Sequence, residues 1–127
     1  MHVFSLSDAV TLYYKQLDLA HKLWAYLQVV AGAAATLATA YYPNKSLVIV
    51  IFVGFILFAI GNCYFLYLAQ RDISNTGAAV QQAWPKASEW SAILPAFTSW
   101  RLRQVVALHV LIDVAVLVLV VVQFLRC

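Results

Sequence analysis

Charge is scarce in this chain: only 10% of its 127 residues are Asp, Glu, Lys or Arg, against about 25% in an ordinary soluble domain. Eight basic and five acidic side chains leave a net charge of +3. They are scattered rather than gathered into a stripe, which excludes a nucleic-acid surface. Cysteine is scarcer still. Cys63 falls inside an apolar run and Cys127 at the last position, places where an internal disulfide has little reason to form. There is no CxxC, no C-x-x-C-H haem-attachment signature and no cluster with zinc spacing. Nor is there a glycine-rich phosphate loop, a G-x-S-x-G, an H-E-x-x-H, or a Ser, Lys or Cys nucleophile beside a base. Neither an enzyme nor a bound metal or other cofactor is expected.

What the sequence has in abundance is hydrocarbon. Sixty-five per cent of its residues are hydrophobic and the mean hydropathy is +0.85, so the expected class is an all-α integral membrane protein. Three stretches are long enough to cross a bilayer, at residues 23–42, 47–69 and 104–125, since about 20 apolar residues at about 1.5 Å rise cover the hydrocarbon core. The chain left over is too short for a separate soluble catalytic domain, which takes about 50 residues or more. Residues 1–127 therefore read as one membrane domain.

Residues 3–22 open with Ser5 and Asp8 in capping-box spacing and continue as an amphipathic helix. Leu6, Val10, Tyr13, Leu17, Ala20, Trp24, Leu27, Ala31, Ala34 and Ala38 then step by alternating fours and threes. That seam runs unbroken from the amphipathic segment into the first span. It predicts either one continuous helix or an interfacial helix that bends near His21 and Lys22. Within the first span, Ala31, Gly32, Ala35 and Thr36 supply small-xxx-small pairs suited to close helix packing, and Gly54 and Gly61 do the same in the second span. A signal peptide ending at Ala38-Thr39-Ala40 is disfavoured by the long leader and by Asp8 and Asp18 within it.

Tyr41 to Ser46 is a short turn that makes the first two spans antiparallel neighbours. The long connection, residues 72–103, carries Trp84, Trp90, Phe97 and Trp100 with Pro85 and Pro95. It predicts an interfacial helical elbow, with Asn75 or Thr76 capping a short helix to about Trp84. Counting basic residues, Lys15, Lys22, Arg71, Lys86, Arg101 and Arg103 fall on one side, and Lys45 and Arg126 on the other. The positive-inside rule then places the N-terminus in the cytoplasm and the C-terminus outside it. In outline the chain resembles small bacterial inner-membrane proteins, and that localisation is what the resemblance implies.

One feature conflicts with a plain lipid-facing helix. His109 and Asp113 stand four residues apart in the third span, on one helical face. A charged Asp at mid-membrane costs at least about 2.5 kcal/mol, so that face should look at protein, water or a ligand. Residue counts place Gln28, Asn62 and His109 at similar depth, as a polar layer with Asp113 one turn further in. Such a layer can serve as hydrogen-bonded glue between helices. It can also line the vestibule of a pore, with Val116 and Val120 as an apolar gate.

Three spans cannot enclose a pathway, so a pore requires a homo-oligomer with the third or second span on the symmetry axis. The functional expectation is accordingly a small homo-oligomeric membrane channel with an ion or pore-lining site at Asp113, His109, Asn62 and Gln28. The alternative is a non-conducting membrane subunit or scaffold that recruits a partner protein through its N-terminal helix and elbow. A haem anchor is disfavoured by the single intramembrane histidine, and a proton-coupled transporter by the absence of an inverted repeat.

Overall fold

The computed structural model describes residues 5–40, 44–84 and 102–126. Among these all regular structure is helical: α1 spans Leu6–Ala40, α2 spans Lys45–Ala83 and α3 spans Leu102–Leu125. Each is long and apolar enough to cross a membrane.

Local chemistry sets the starts of α1 and α2. Ser5 and Asp8 close a reciprocal capping box: the Ser5 backbone N–H donates to Asp8 Oδ2 at 3.0 Å, and the Asp8 N–H donates to Ser5 Oγ at 3.2 Å. Two of the unpaired donors of the first turn are thereby satisfied. The Ser5 hydroxyl and N–H hold the Asp8 carboxyl below the usual carboxylate range. Asn44 caps α2, its side chain accepting from the Leu47 N–H at 3.1 Å.

Of the two expectations for the N-terminal segment, the continuous helix is the one found: α1 runs 35 residues without interruption. The ten-residue seam is its packed side. Tyr13, Ala20, Leu27, Ala31, Ala34 and Ala38 are buried, and Leu6, Val10, Leu17 and Trp24 pack partly buried against them. The periodicity is thus consumed within the chain, chiefly by α2 lying antiparallel to α1.

The expected break after residue 72 is absent. α2 continues for 39 residues through Asn75 and Thr76 to Ala83, so neither residue is a cap. Thr76 instead turns its hydroxyl back onto the Asp72 carbonyl at 2.7 Å, the local bond by which a mid-helix threonine satisfies itself. Ile73, Gly77 and Val80 continue the buried face of α2 with steps of four and three, pairing this segment with the start of α1. That tertiary contact outweighs the weak helix preferences of Asn, Thr and Gly. The remainder of the expected elbow, including Pro85, Trp90, Pro95, Phe97 and Trp100, lies outside the described residues.

The helices are unequal in a way that shapes the molecule. α3, with 24 residues, is about 36 Å long and suits a hydrocarbon core of about 30 Å. α1 and α2 are about 52 and 58 Å by the same rise. Ala38, Val48 and Val120 meet in one cluster at the α1–α2 turn, while Val105 joins the cluster containing Leu23, Leu66 and Ala69. α3 therefore lies beside the turn-end portion of the hairpin, parallel to α1, and residues 6–22 and 70–83 extend beyond it as a two-helix stem.

The small residues sort differently from expectation. Ala31 and Ala34 pack in a cluster with Phe55 and Ala59, and Ala35 is half-buried. Gly32 and Thr36 face outward, as does Gly54. A methyl group added at Gly32, Gly54 or Gly61 meets nothing within 4 Å, so none of these glycines mediates a close helix approach inside the chain.

Candidate functional site: a buried Asn–His–Asp network

The network is assembled where all three helices meet, one turn in from the stem. α3 contributes His109 and Asp113 from successive turns of one face, and α2 contributes Asn62. These three polar residues are sealed from the surroundings, at 0% exposure for His109, 6% for Asn62 and 7% for Asp113. From α1, Trp24 lies against the imidazole with ring centroids 5.8 Å apart.

Asn62 occupies the hinge of the arrangement. Its Nδ2 donates to the Leu23 carbonyl of α1 at 3.2 Å and sits 2.9 Å from His109 Nε2. One amide nitrogen thus joins all three helices. The Leu23 carbonyl fixes which way the amide faces, because the reverse orientation would set two acceptor oxygens against each other. With its second hydrogen Asn62 then donates to Nε2, so Nε2 is the bare nitrogen and the neutral ring carries its proton on Nδ1.

On the other side of the ring Nδ1 approaches Asp113 Oδ2 to 2.7 Å. The approach does not meet hydrogen-bond geometry, and Asp113 Oδ1 is buried with no partner. Asp113 therefore touches one polar neighbour and leaves an acceptor unsatisfied. Buried polar atoms are nearly always paired, so such an atom calls for an explanation.

The structure brings together three of the four expected site residues. Asn62, His109 and Asp113 form the network, whereas Gln28 is exposed on the outer side of α1. Its depth along the helix suits the layer, but it stands about 100° from Leu27 and outside the packed seam. The two residues expected to gate a pore are also placed differently. Val120 is fully buried with Ala38 and Val48. Val116 packs beside it and against the Ala31–Phe55 cluster. The face of α3 that carries His109, Asp113, Val116 and Val120 is directed at α1 and α2 of its own chain.

Two participants carry little or no mark of their role in sequence. Trp24 stands on the seam, which gives its face of α1 but not its partner, His109. The Leu23 carbonyl is a backbone group and leaves no mark in sequence. Among the described residues no group of three or more His, Cys, Asp or Glu side chains could hold a metal ion.

Comparison with protein-family models, with curated proteins and with solved structures gives no match to this chain.

Proposed function

We propose that this chain is a non-conducting membrane subunit or scaffold whose two-helix stem presents a protein-binding surface outside the bilayer. The observation that carries this proposal is the direction of the polar face of α3. A pore-lining role needs His109 and Asp113 on a shared axis, and here His109 is held between Asn62 and Trp24 while Asp113 is buried beside it within the chain. Two further features support it. The stem overshoots α3 by roughly 20 Å at about 1.5 Å per residue, and it keeps Leu12, Tyr14 and Leu19 exposed beyond the first span.

The basic residues suit a cytoplasmic stem. Lys15, Lys22, Arg71 and Arg103 lie at that end of the helices, and Lys45 and Arg126 lie at the other. By the positive-inside rule the N-terminus is cytoplasmic and the C-terminus extracytoplasmic in a bacterial inner membrane.

The test combines two measurements on the intact chain. Reconstituted in liposomes, it should pass no more ions than empty vesicles. A photo-crosslinking residue at Tyr14 or Leu19 in cells should give one discrete adduct to another protein, while the same probe at Leu57 or Val118 should not. Ion flux that depends on Asp113, or the absence of any stem-specific adduct, would defeat the proposal.

The homo-oligomeric channel stands as a second reading because of one observation: Gln28, Gly32 and Thr36 share the outward side of α1, with open space at Gly32. Small residues and an amide at membrane depth suit packing between copies. In such an assembly Gln28, and not Asp113, would approach the axis. Mass measurement in nanodiscs separates the two readings: a monomer excludes a self-assembled pore.

A further inference from the structure

We propose that the groove between the start of α2 and the end of α3 holds one acyl chain of an anionic glycerophospholipid, whose phosphate is bound by Lys45 at the groove's mouth. The site stands at the end of the bundle opposite the stem. Val48, Ile49 and Phe52 of α2 and Val120, Val121 and Phe124 of α3 line a groove of about 210 Å³. Val48 and Val120 form its floor, buried at 1% and 0% exposure. Every lining side chain is apolar.

Depth decides what can fill it. From Lys45, the first residue of α2, the groove descends to Phe52, roughly 10 Å at about 1.5 Å per residue. That places it in the outer part of the hydrocarbon region of one leaflet. A groove with no polar partner does not hold water. Left empty, its walls would forgo their dispersion contacts. The hydrocarbon present at that depth is an acyl chain.

Charge decides which lipid. The Lys45 ammonium lies 5.9 Å from the centroid of the Phe124 ring, within cation–π reach of a side chain that forms one wall of the groove. The cation is therefore held directly above the apolar slot. Arg126 is exposed at the same end. The acidic side chains among the described residues all lie elsewhere, Asp8, Asp18 and Asp72 on the stem and Asp113 inside the bundle. Among the described residues the ion pairs are those of Lys22, Arg71 and His109, so neither Lys45 nor Arg126 has a carboxylate partner. Two such cations at headgroup level favour a lipid of net negative charge over a zwitterionic one, whose own ammonium would be set against them.

The test releases the intact chain into native mass spectrometry from nanodiscs of phosphatidylglycerol and phosphatidylcholine in equal parts, with the same acyl chains. One phosphatidylglycerol should stay with each chain in preference to phosphatidylcholine. Lys45→Gln should lower that preference about fivefold, the effect of one basic residue at a headgroup. Val121→Phe, which fills the groove from an exposed wall, should reduce retention of both lipids, while Val118→Phe on the exposed face outside the groove should not. Should the groove-filling variant fail to fold, Lys45→Gln at the surface keeps the test valid. A second arm places a spin label near the carboxyl end of the phosphatidylglycerol acyl chain. It should broaden the methyl NMR signals of Ile49 and Val121 more than those of Val50 and Val122, which are exposed at matching depth outside the groove. Equal retention of the two lipids, an unchanged preference in Lys45→Gln, or uniform broadening of the four residues would overturn the proposal. So would a dimer free of lipid, in which a second copy fills the groove.

Discussion

The two ends of α3 are equally well buried and held by opposite means. Near the stem, His109 and Asp113 pack through hydrogen bonds and close polar contacts to α2 and, through Asn62, to α1. Near the α1–α2 turn, Val120 sits at 0% exposure among Ala38 and Val48 with no polar atom involved, beside an open apolar groove of about 210 Å³ lined by Phe52 and Phe124 among others. Apolar packing alone holds this end of the helix. The polar end then confers something that packing does not: orientation. An Asn–His contact fixes rotation and depth together, whereas a Val among alanines tolerates small slips.

The largest effect should come from breaking the polar end by halves. His109→Ala leaves Asp113 buried without its polar neighbour and Asn62 with the Leu23 carbonyl alone, and should cost about 2–4 kcal/mol. Val120→Ala should cost only about 1–2 kcal/mol, mainly lost dispersion contacts and a small void. Reversible unfolding in micelles measures both. Replacing Asn62, His109 and Asp113 together by leucine should recover most of the loss, because no orphaned group remains. A triple variant less stable than His109→Ala would show that the polar end supplies more than compensated burial.

A smaller and opposite effect is expected on the outward side. Gly32→Ala and Gly54→Ala meet open space and should leave the monomer unchanged or raise its stability by up to about 1 kcal/mol through helix propensity. A loss of stability that depends on protein concentration would place these glycines in a contact between copies.

The smallest effect lies at the start of the stem. Ser5 holds the Asp8 carboxyl below its ordinary range, so the contribution of Asp8 to the first turn is complete above about pH 4 and is lost as pH falls further, through the depressed folded-state value. Amide exchange in the first turn should rise on that acid limb alone. Asp8→Ala should show the same fraying at neutral pH and leave α2 and α3 protected.

Much of this was legible in the sequence because membrane helices are written in period and length. The three spans, the capping box at Ser5 and Asp8, and every residue of the Leu6-to-Ala38 seam follow from spacing. The extension of α2 was not legible: Arg71, Asp72, Asn75, Thr76 and Gly77 carry the local marks of a helix exit, and only the pairing of Ile73 and Val80 with α1 overrides them. For the site, depth was readable and azimuth was not. Residue counting placed Gln28 level with Asn62 and His109, yet the seam through Trp24, Leu27 and Ala31 already passed it by. The direction of the α3 face was undetermined in sequence, because an acid and an imidazole on one face demand protein around them without saying whose.

A double-mutant cycle between Asn62 and His109, run with one chain per nanodisc, asks that question most directly. If the network belongs to the single chain, the two positions should show a coupling of about 0.6 to 2 kcal/mol, the range for hydrogen bonds between membrane helices. Zero coupling in the isolated chain, with coupling appearing only when copies associate, would contradict it.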